Sequence, residues 1–362
     1  MAYTTINKHT DYFNTVTYTG NTTDDRTISG VGFQPDWNWT KNRSASQDHW
    51  LADAVRGSTK IIRSNGTNIE TTAPSNGSIS SFNSDGYVLQ AGSSGDLNYN
   101  TENNNYVSWN WKAGTTGTGY TTGSGTSNSY SYSVNTTAGF SIINYVGNGT
   151  AGHTIPHHLG ATPSMIIVKN RDRSTSAQWS VYHKNSFTSQ SAPGVLYLNL
   201  TTAKSNDTNV WGNSTVTIDS TVFSVGDYEG TNQTNDNIIA YCFAEKTGYS
   251  KFGTYTGNGN ADGTFIYTGF KPAWVMIKRT NSTSNWSILD NKRLGFNSAV
   301  SPRELYANAN DQEYDSNRFD IISNGFKLRT SGGDGNASGG TYIYMAFGQS
   351  LVGSNNVPCT AR

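Results

Sequence analysis

One pattern occurs three times along the 362 residues, so the fold must be one that a single unit can build and two more can copy. The first copy reads Tyr18-Thr19-Gly20-Asn21, then Gly32-Phe33-Gln34-Pro35-Asp36-Trp37, then Lys41-Asn42-Arg43. The second reads Tyr145-Val146-Gly147-Asn148-Gly149, then Leu159-Gly160-Ala161-Thr162-Pro163-Ser164-Met165, then Lys169-Asn170-Arg171. The third reads Tyr255-Thr256-Gly257-Asn258-Gly259, then Gly269-Phe270-Lys271-Pro272-Ala273-Trp274, then Lys278-Arg279. From Tyr to Pro is 17, 18 and 17 residues, and from Pro to Lys is six in every copy. A Trp follows the Lys in each (Trp50, Trp179, Trp286), eight to ten residues on.

Each copy closes with a strand of period two. One face carries Val107, Trp109 and Trp111, matched by Ile239, Tyr241 and Phe243 and by Ile343, Met345 and Phe347. The other face varies: Ser108 and Asn110, Ala240 and Cys242, Tyr344 and Ala346. Asn83-Ser84-Asp85-Gly86 and Ser323-Asn324-Gly325 are turn signals before further strands. Helix-compatible stretches are confined to 50–57 and 302–306. The expectation is an all-β chain of three tandem antiparallel β-sandwich modules, jelly-roll or concanavalin-like. Their bounds are 1–114, 138–249 and 250–350, with a C-terminal tail at 351–362. The Gly/Ser/Thr-rich run at 115–137 reads as a flexible linker on which the first module swings.

Composition narrows the partners. Lys+Arg and Asp+Glu number 25 each, and charged residues make up 14%, against about 25% in an ordinary soluble domain. A neutral chain lacks the basic surplus that nucleic acid or an anionic membrane surface attracts. Aromatics at 12% are unlike a disordered chain. No run of 18 apolar residues is present to insert in a membrane, the first twelve residues do not read as a signal peptide, and two cysteines make no disulfide framework.

Candidate chemistry is sparse, and no cofactor is expected. His153, His157 and His158 form a His-x3-His-His cluster that suits a transition metal, but the other copies have no histidine there. Glutamate is scarce and supplies no pair on one strand face, so glycoside hydrolysis is not expected; aspartates beside Gly or Asn read as turn formers. The Lys-Asn-Arg runs at 41–43 and 169–171 read as solvated strand edges, and Cys242 as a buried free thiol with Cys359 in the tail. Tyr99, Tyr120, Tyr130, Tyr132 and Tyr228 fall outside the repeat among Ser, Gly and Asn, which suits contact with a ligand or subunit.

The run Gly32 to Ser44, the Tyr-Thr-Gly-Asn openings, the Asn83-Ser84-Asp85-Gly86-Tyr87 turn, the Trp109-Asn110-Trp111-Lys112-Ala113-Gly114 close and the terminal Val357-Pro358-Cys359-Thr360-Ala361-Arg362 resemble a known repeat module. It is the module of structural proteins of marine tailed bacteriophages, called tail-fibre or virion structural proteins. The resemblance implies a non-enzymatic virion component, made in the host cytoplasm and displayed on the tail, that contributes to host-surface attachment. Head decoration and a free carbohydrate-binding protein are the alternatives. The implied partners are other virion proteins, a host surface glycan and the protein itself, as a trimer or an oligomer following the particle's symmetry.

Overall fold

Each copy lays down one large and one small antiparallel sheet, in the computed structural model that describes residues 3–213, 215–293, 303–316 and 318–353. In copy 1 the large sheet runs Phe13–Thr19, Asn105–Trp111, Trp37–Asn42, His49–Asp53, Gly57–Ile62, Thr71–Thr72 in spatial order. Copy 3 repeats that order with Ser250–Thr256, Thr341–Gln349, Lys271–Arg279, Trp286–Asp290, Arg303–Tyr306 and Tyr314–Asp315. Copy 2 uses Phe140–Val146, Asn237–Phe243, Met165–Asn170, Ser180–His183 and Leu196–Tyr197. The small sheets are built on Thr27–Ile28, His153–Pro156 and Phe265–Tyr267, each paired with a later strand of its own copy. The chain is thus an all-β antiparallel sandwich protein. Both stretches compatible with helix contribute strands instead, at His49–Asp53 and Arg303–Tyr306, because tertiary pairing overrides a weak local preference.

The invariant face of the closing strand turns away from its own small sheet. Trp37, Trp39, Trp109 and Trp111 of copy 1, Met165, Ile167, Tyr241 and Phe243 of copy 2, and Trp274, Met276, Met345 and Phe347 of copy 3 form one buried cluster. Rings meet across all three seams: Trp37 lies 4.3 Å from Tyr241, Trp111 5.6 Å from Trp274, and Phe243 6.0 Å from Phe347, centroid to centroid. The three large sheets are therefore the sides of a three-sided prism, filled by their inward faces. The variable faces look outward, each onto its own small sheet, giving three separate peripheral cores. A first module swinging freely is excluded, since its tryptophans are packed against both other copies.

The seams are closed by matched polar contacts that run round the prism in one sense. Lys41 Nζ donates to the Asn310 carbonyl at 3.2 Å, Lys169 Nζ to Thr67 at 3.1 Å and Lys278 Nζ to Thr201 at 2.8 Å, so each copy reaches into the next. Ring nitrogens repeat the step: His49 Nε2 lies 2.9 Å from the Tyr306 oxygen, Trp179 Nε1 donates to Arg63 at 2.8 Å and Trp286 Nε1 to Tyr197 at 2.9 Å. His49 thus stands where Trp179 and Trp286 stand, opposite the buried lysine in the strand register, which Trp50 does not. Trp50 sits one residue on, and in a strand that step turns it to the peripheral core. Lys41 and Lys169, expected at solvated edges, are wholly buried, and so is Lys278. Burial holds each ammonium down at about 8.

Two seams add charge. Glu70 receives Arg171 through Nε and Nη2, both at 2.8 Å, and Arg56 at 2.9 Å; Glu313 receives Arg43 at 2.5 Å. The third seam has Lys204 and Thr280 at the corresponding places, joined only through the Lys204 N–H and the Thr280 carbonyl at 2.8 Å.

The Tyr-x-Gly-Asn opening of each copy also has a structural use. The N–H groups of Asn21, Asn148 and Asn258 donate to the side-chain oxygens of Asn100, Asn232 and Asn336, which are all buried. The preceding glycine is required because a Cβ at Gly20, Gly147 or Gly257 would stand 2.0 to 2.3 Å from a carbonyl oxygen of the facing loop.

Residues 115–137 are not a linker. Thr115–Tyr120 and Ser129–Asn135 pair with each other and extend the large sheet of copy 2, and Thr122–Gly123 joins its small sheet. The run is polar because one side of this edge faces solvent, and its glycines lie beneath rings: Gly117 pairs with Tyr132 and Gly119 with Tyr130. A Cβ at either glycine would stand 2.5 to 2.6 Å from the tyrosine hydroxyl oxygen, so bare backbone there gives the rings room to cover the edge.

Candidate binding surfaces

The residues singled out from the sequence are scattered by the fold. Tyr99 is wholly buried in the peripheral core of copy 1 and offers no contact surface. Tyr228 is half-buried, donating its hydroxyl proton to the Ser176 carbonyl and accepting the Gln178 N–H at 3.2 Å, so it pins a loop. Tyr120 stands 72% exposed at the end of the edge strand. Tyr130 and Tyr132 lie on the neighbouring strand, where His158 stacks on Tyr132 at 3.7 Å and places Nε2 2.9 Å from the Tyr130 hydroxyl.

The other two histidines of that cluster turn elsewhere. His157 is buried with Nε2 3.1 Å from the Asp219 carbonyl oxygen, while Nδ1 accepts the Leu159 N–H at 3.2 Å. His153 is buried with Nδ1 2.9 Å from the Ser124 carbonyl oxygen. Burial lowers the pKa of all three, and no group of three or more His, Cys, Asp or Glu side chains among the described residues is placed to hold a metal ion. Alternation along His153–Pro156 turns His153 into the core, and His158 has a positive φ of 61° that turns it toward the tyrosines.

The buried carboxylates are spent on structure. Glu70, Glu304 and Glu313 are engaged by arginines, and Asp53 and Asp290 each hold the arginine three residues later, buried with them. Asp36 and Asp96 are pushed up by burial, to about 6 and about 7. Asp36 Oδ2 accepts the Ala113 N–H at 2.7 Å and Asp96 Oδ1 the Tyr99 N–H at 3.2 Å, so both fix loops. Cys242 is free and buried, and burial raises its pKa; Cys359 lies outside the described residues.

Two surfaces remain that sequence reasoning did not mark. Copy 2 carries two open grooves of about 680 and 500 Å³ that meet at Asn213; Ser189, Gln190 and Thr208 line one, and Thr154, Thr215 and Thr217 the other. Among the described residues their walls hold hydroxyls and amides with no charged or aromatic side chain.

The other surface is the outer face of copy 3's small sheet. Along Phe265–Tyr267, Ile266 points into the peripheral core, which leaves Phe265 44% and Tyr267 61% exposed on one face, about 6.6 Å apart along the strand. Tyr3 comes from the N-terminal segment to join them, 43% exposed, with its hydroxyl donating to the Gly269 carbonyl at 3.1 Å. Burial and the neighbouring Tyr267 raise its pKa. The adjoining strands place polar groups beside the rings. Lys327 pairs across from Phe265 and bonds Asp262 at 2.6 Å, and Arg329 bonds Asp320 at 2.5 Å. The signal was present in Thr264-Phe265-Ile266-Tyr267, where period two cannot bury all three apolar residues at once.

Residues 8–350 match a family model described as a domain of unknown function (DUF7483). No curated protein and no solved structure matches the chain.

Proposed function

We propose, for a chain that belongs to the DUF7483 family, a non-catalytic role as a structural and attachment protein on the surface of a virus particle, displayed on the tail of a tailed bacteriophage. The observation that supports this reading is the closed prism. Three copies fill one solid core, three buried lysines latch its seams, and the surface presents hydroxyls, amides and a few rings, with charges that are largely paired with one another. Such a body is stiff and neutral and has its chemistry facing outward, which suits a displayed binding element present in many copies.

A second reading, head decoration, is favoured by the pseudo-threefold arrangement. One chain that carries three equivalent sides can stand on a threefold position of a lattice without two partner chains. In either place one chain already offers three equivalent sides to its neighbours. The test is the composition of purified particles. Mass spectrometry should find the protein in fixed stoichiometry, and antibody labelling should place it on the tail; label on the head replaces the first reading with the second, and absence from particles overturns both.

A further inference from the structure

The geometry points to the outer face of copy 3's small sheet as a saccharide-binding platform, with Tyr267, Phe265 and Tyr3 as the stacking surface and Lys327, Arg329, Asp262 and Asp320 as the hydroxyl-recognising rim. The assignment deepens the attachment reading and rests on it.

The comparison between copies carries the argument. The strand register equates Phe265 and Tyr267 with Thr27 and Ser29 of copy 1 and with Thr154 and Pro156 of copy 2, since Ile266, Ile28 and Ile155 occupy the same core place opposite Phe326, Tyr87 and Phe223. Small residues satisfy the sheet at those positions in both other copies, so folding does not require rings there. Copy 3 nevertheless exposes two, and the N-terminal segment brings a third to the same patch.

The chemistry of the patch selects the ligand class. A pyranose has an apolar C–H face that lies on an aromatic ring and a rim of hydroxyls that both donate and accept. Beside the rings stand two carboxylates and two cations, already paired with each other, which supply acceptors and donors without net charge. Arg329 also lies 3.8 Å from Asp262, so the rim is a connected set. An anionic or cationic ligand would have to break these pairs; a neutral polyol can bridge them. Gly325, opposite Tyr267, is required by the sheet itself, since a Cβ there would stand 2.0 Å from the Ile266 carbonyl oxygen, as one at Gly86 of copy 1 would stand 1.9 Å from that of Ile28; beside the rings it adds no side chain to cover them.

The experiment uses the full chain and a panel of methyl pyranosides of glucose, galactose, mannose, rhamnose and N-acetylglucosamine, together with a printed glycan array. Saturation-transfer NMR should show saturable binding of at least one probe. The double substitution Phe265→Thr with Tyr267→Ser, which installs the side chains that copy 1 carries at the same places, should weaken it at least tenfold while the melting temperature and circular dichroism stay those of the unaltered chain. Three results overturn the assignment: no binding by any probe, undiminished binding by the double variant, or a double variant whose only change is the loss of chain self-association. Presence in purified particles with no saccharide binding overturns this assignment alone. Saccharide binding by a protein absent from particles overturns the particle reading alone.

Discussion

The inner and outer faces of the large sheets are made from alternate residues of the same strands, yet they differ sharply in how far the copies agree. At the inner face of the Pro-to-Lys strand the residues are Trp37, Met165 and Trp274, then Trp39, Ile167 and Met276, then three lysines. At the outer face they are Asn38, Ile166 and Val275, then Thr40, Val168 and Ile277. The inner positions are partners of one another across a shared axis, so a change in one copy must fit two others. Each outer face answers only to its own small sheet and has room to diverge. Copy 1 shows how far: its outer face buries a polar net in which Asn38 donates to Asn110 at 2.8 Å and Thr40 to Asn38 at 2.7 Å.

Truncating the inner face should have the largest effect. Trp37→Ala removes a ring that stacks on Tyr241 at 4.3 Å and meets Trp111 at 4.5 Å, and should cost about 3–5 kcal/mol in urea unfolding. Hydrogen exchange should then quicken in all three copies. Leu89→Ala, in the peripheral core of copy 1, should quicken exchange there and leave the other two copies protected.

The latch lysines give the next effect, through pH. Burial holds them at about 8 in the folded protein, against an ordinary value of 10.5, so above pH 8 the unfolded chain binds more protons than the folded one. Stability should therefore rise as pH rises from 7 to 9, by about 1 kcal/mol per lysine. Above about pH 10 the tyrosines, whose ionisation burial opposes, reverse the trend. Replacing all three lysines by Met should flatten the rise, measured as urea midpoints at each pH.

A smaller effect tests the outer face. Asn38→Ala strands the partners of a buried net and should cost about 1–3 kcal/mol. Giving copy 1 the side chains of copy 2 at all four net positions (Asn38→Ile, Thr40→Val, Ser108→Ala, Asn110→Cys) should fall within about 1 kcal/mol of the starting protein, since a dry face needs no net. The smallest effect comes from completing the third seam: Lys204→Glu with Thr280→Arg should add about 0–1 kcal/mol, as a partly exposed pair does.

The sequence carries the strands, their two faces and the threefold recurrence in plain view. It does not carry the closure, because a large apolar face reads the same whether its partner is its own small sheet or two other copies. Trp50 misled for a related reason: spacing after the lysine differs among copies by a residue or two, and in a strand one residue decides the face. Gly117, Gly119 and their neighbours read as a linker because composition is blind to the rings of Tyr130 and Tyr132 lying over them. The buried lysines were unreadable for want of a counter-charge in sequence; their partners are main-chain oxygens, from their own copy and one each from another. The candidate site was hidden among aromatics that mostly pack, and only the structural match of Phe265 and Tyr267 to Thr27 and Ser29 separates those with no packing duty.

Calorimetry of the intact chain tests the shared core most directly. Three copies that fill one core should melt together, in a single transition whose van't Hoff enthalpy equals the calorimetric enthalpy. Two or three resolved transitions, or a van't Hoff enthalpy near a third of the calorimetric value, would contradict the prism and return the chain to three independent sandwiches.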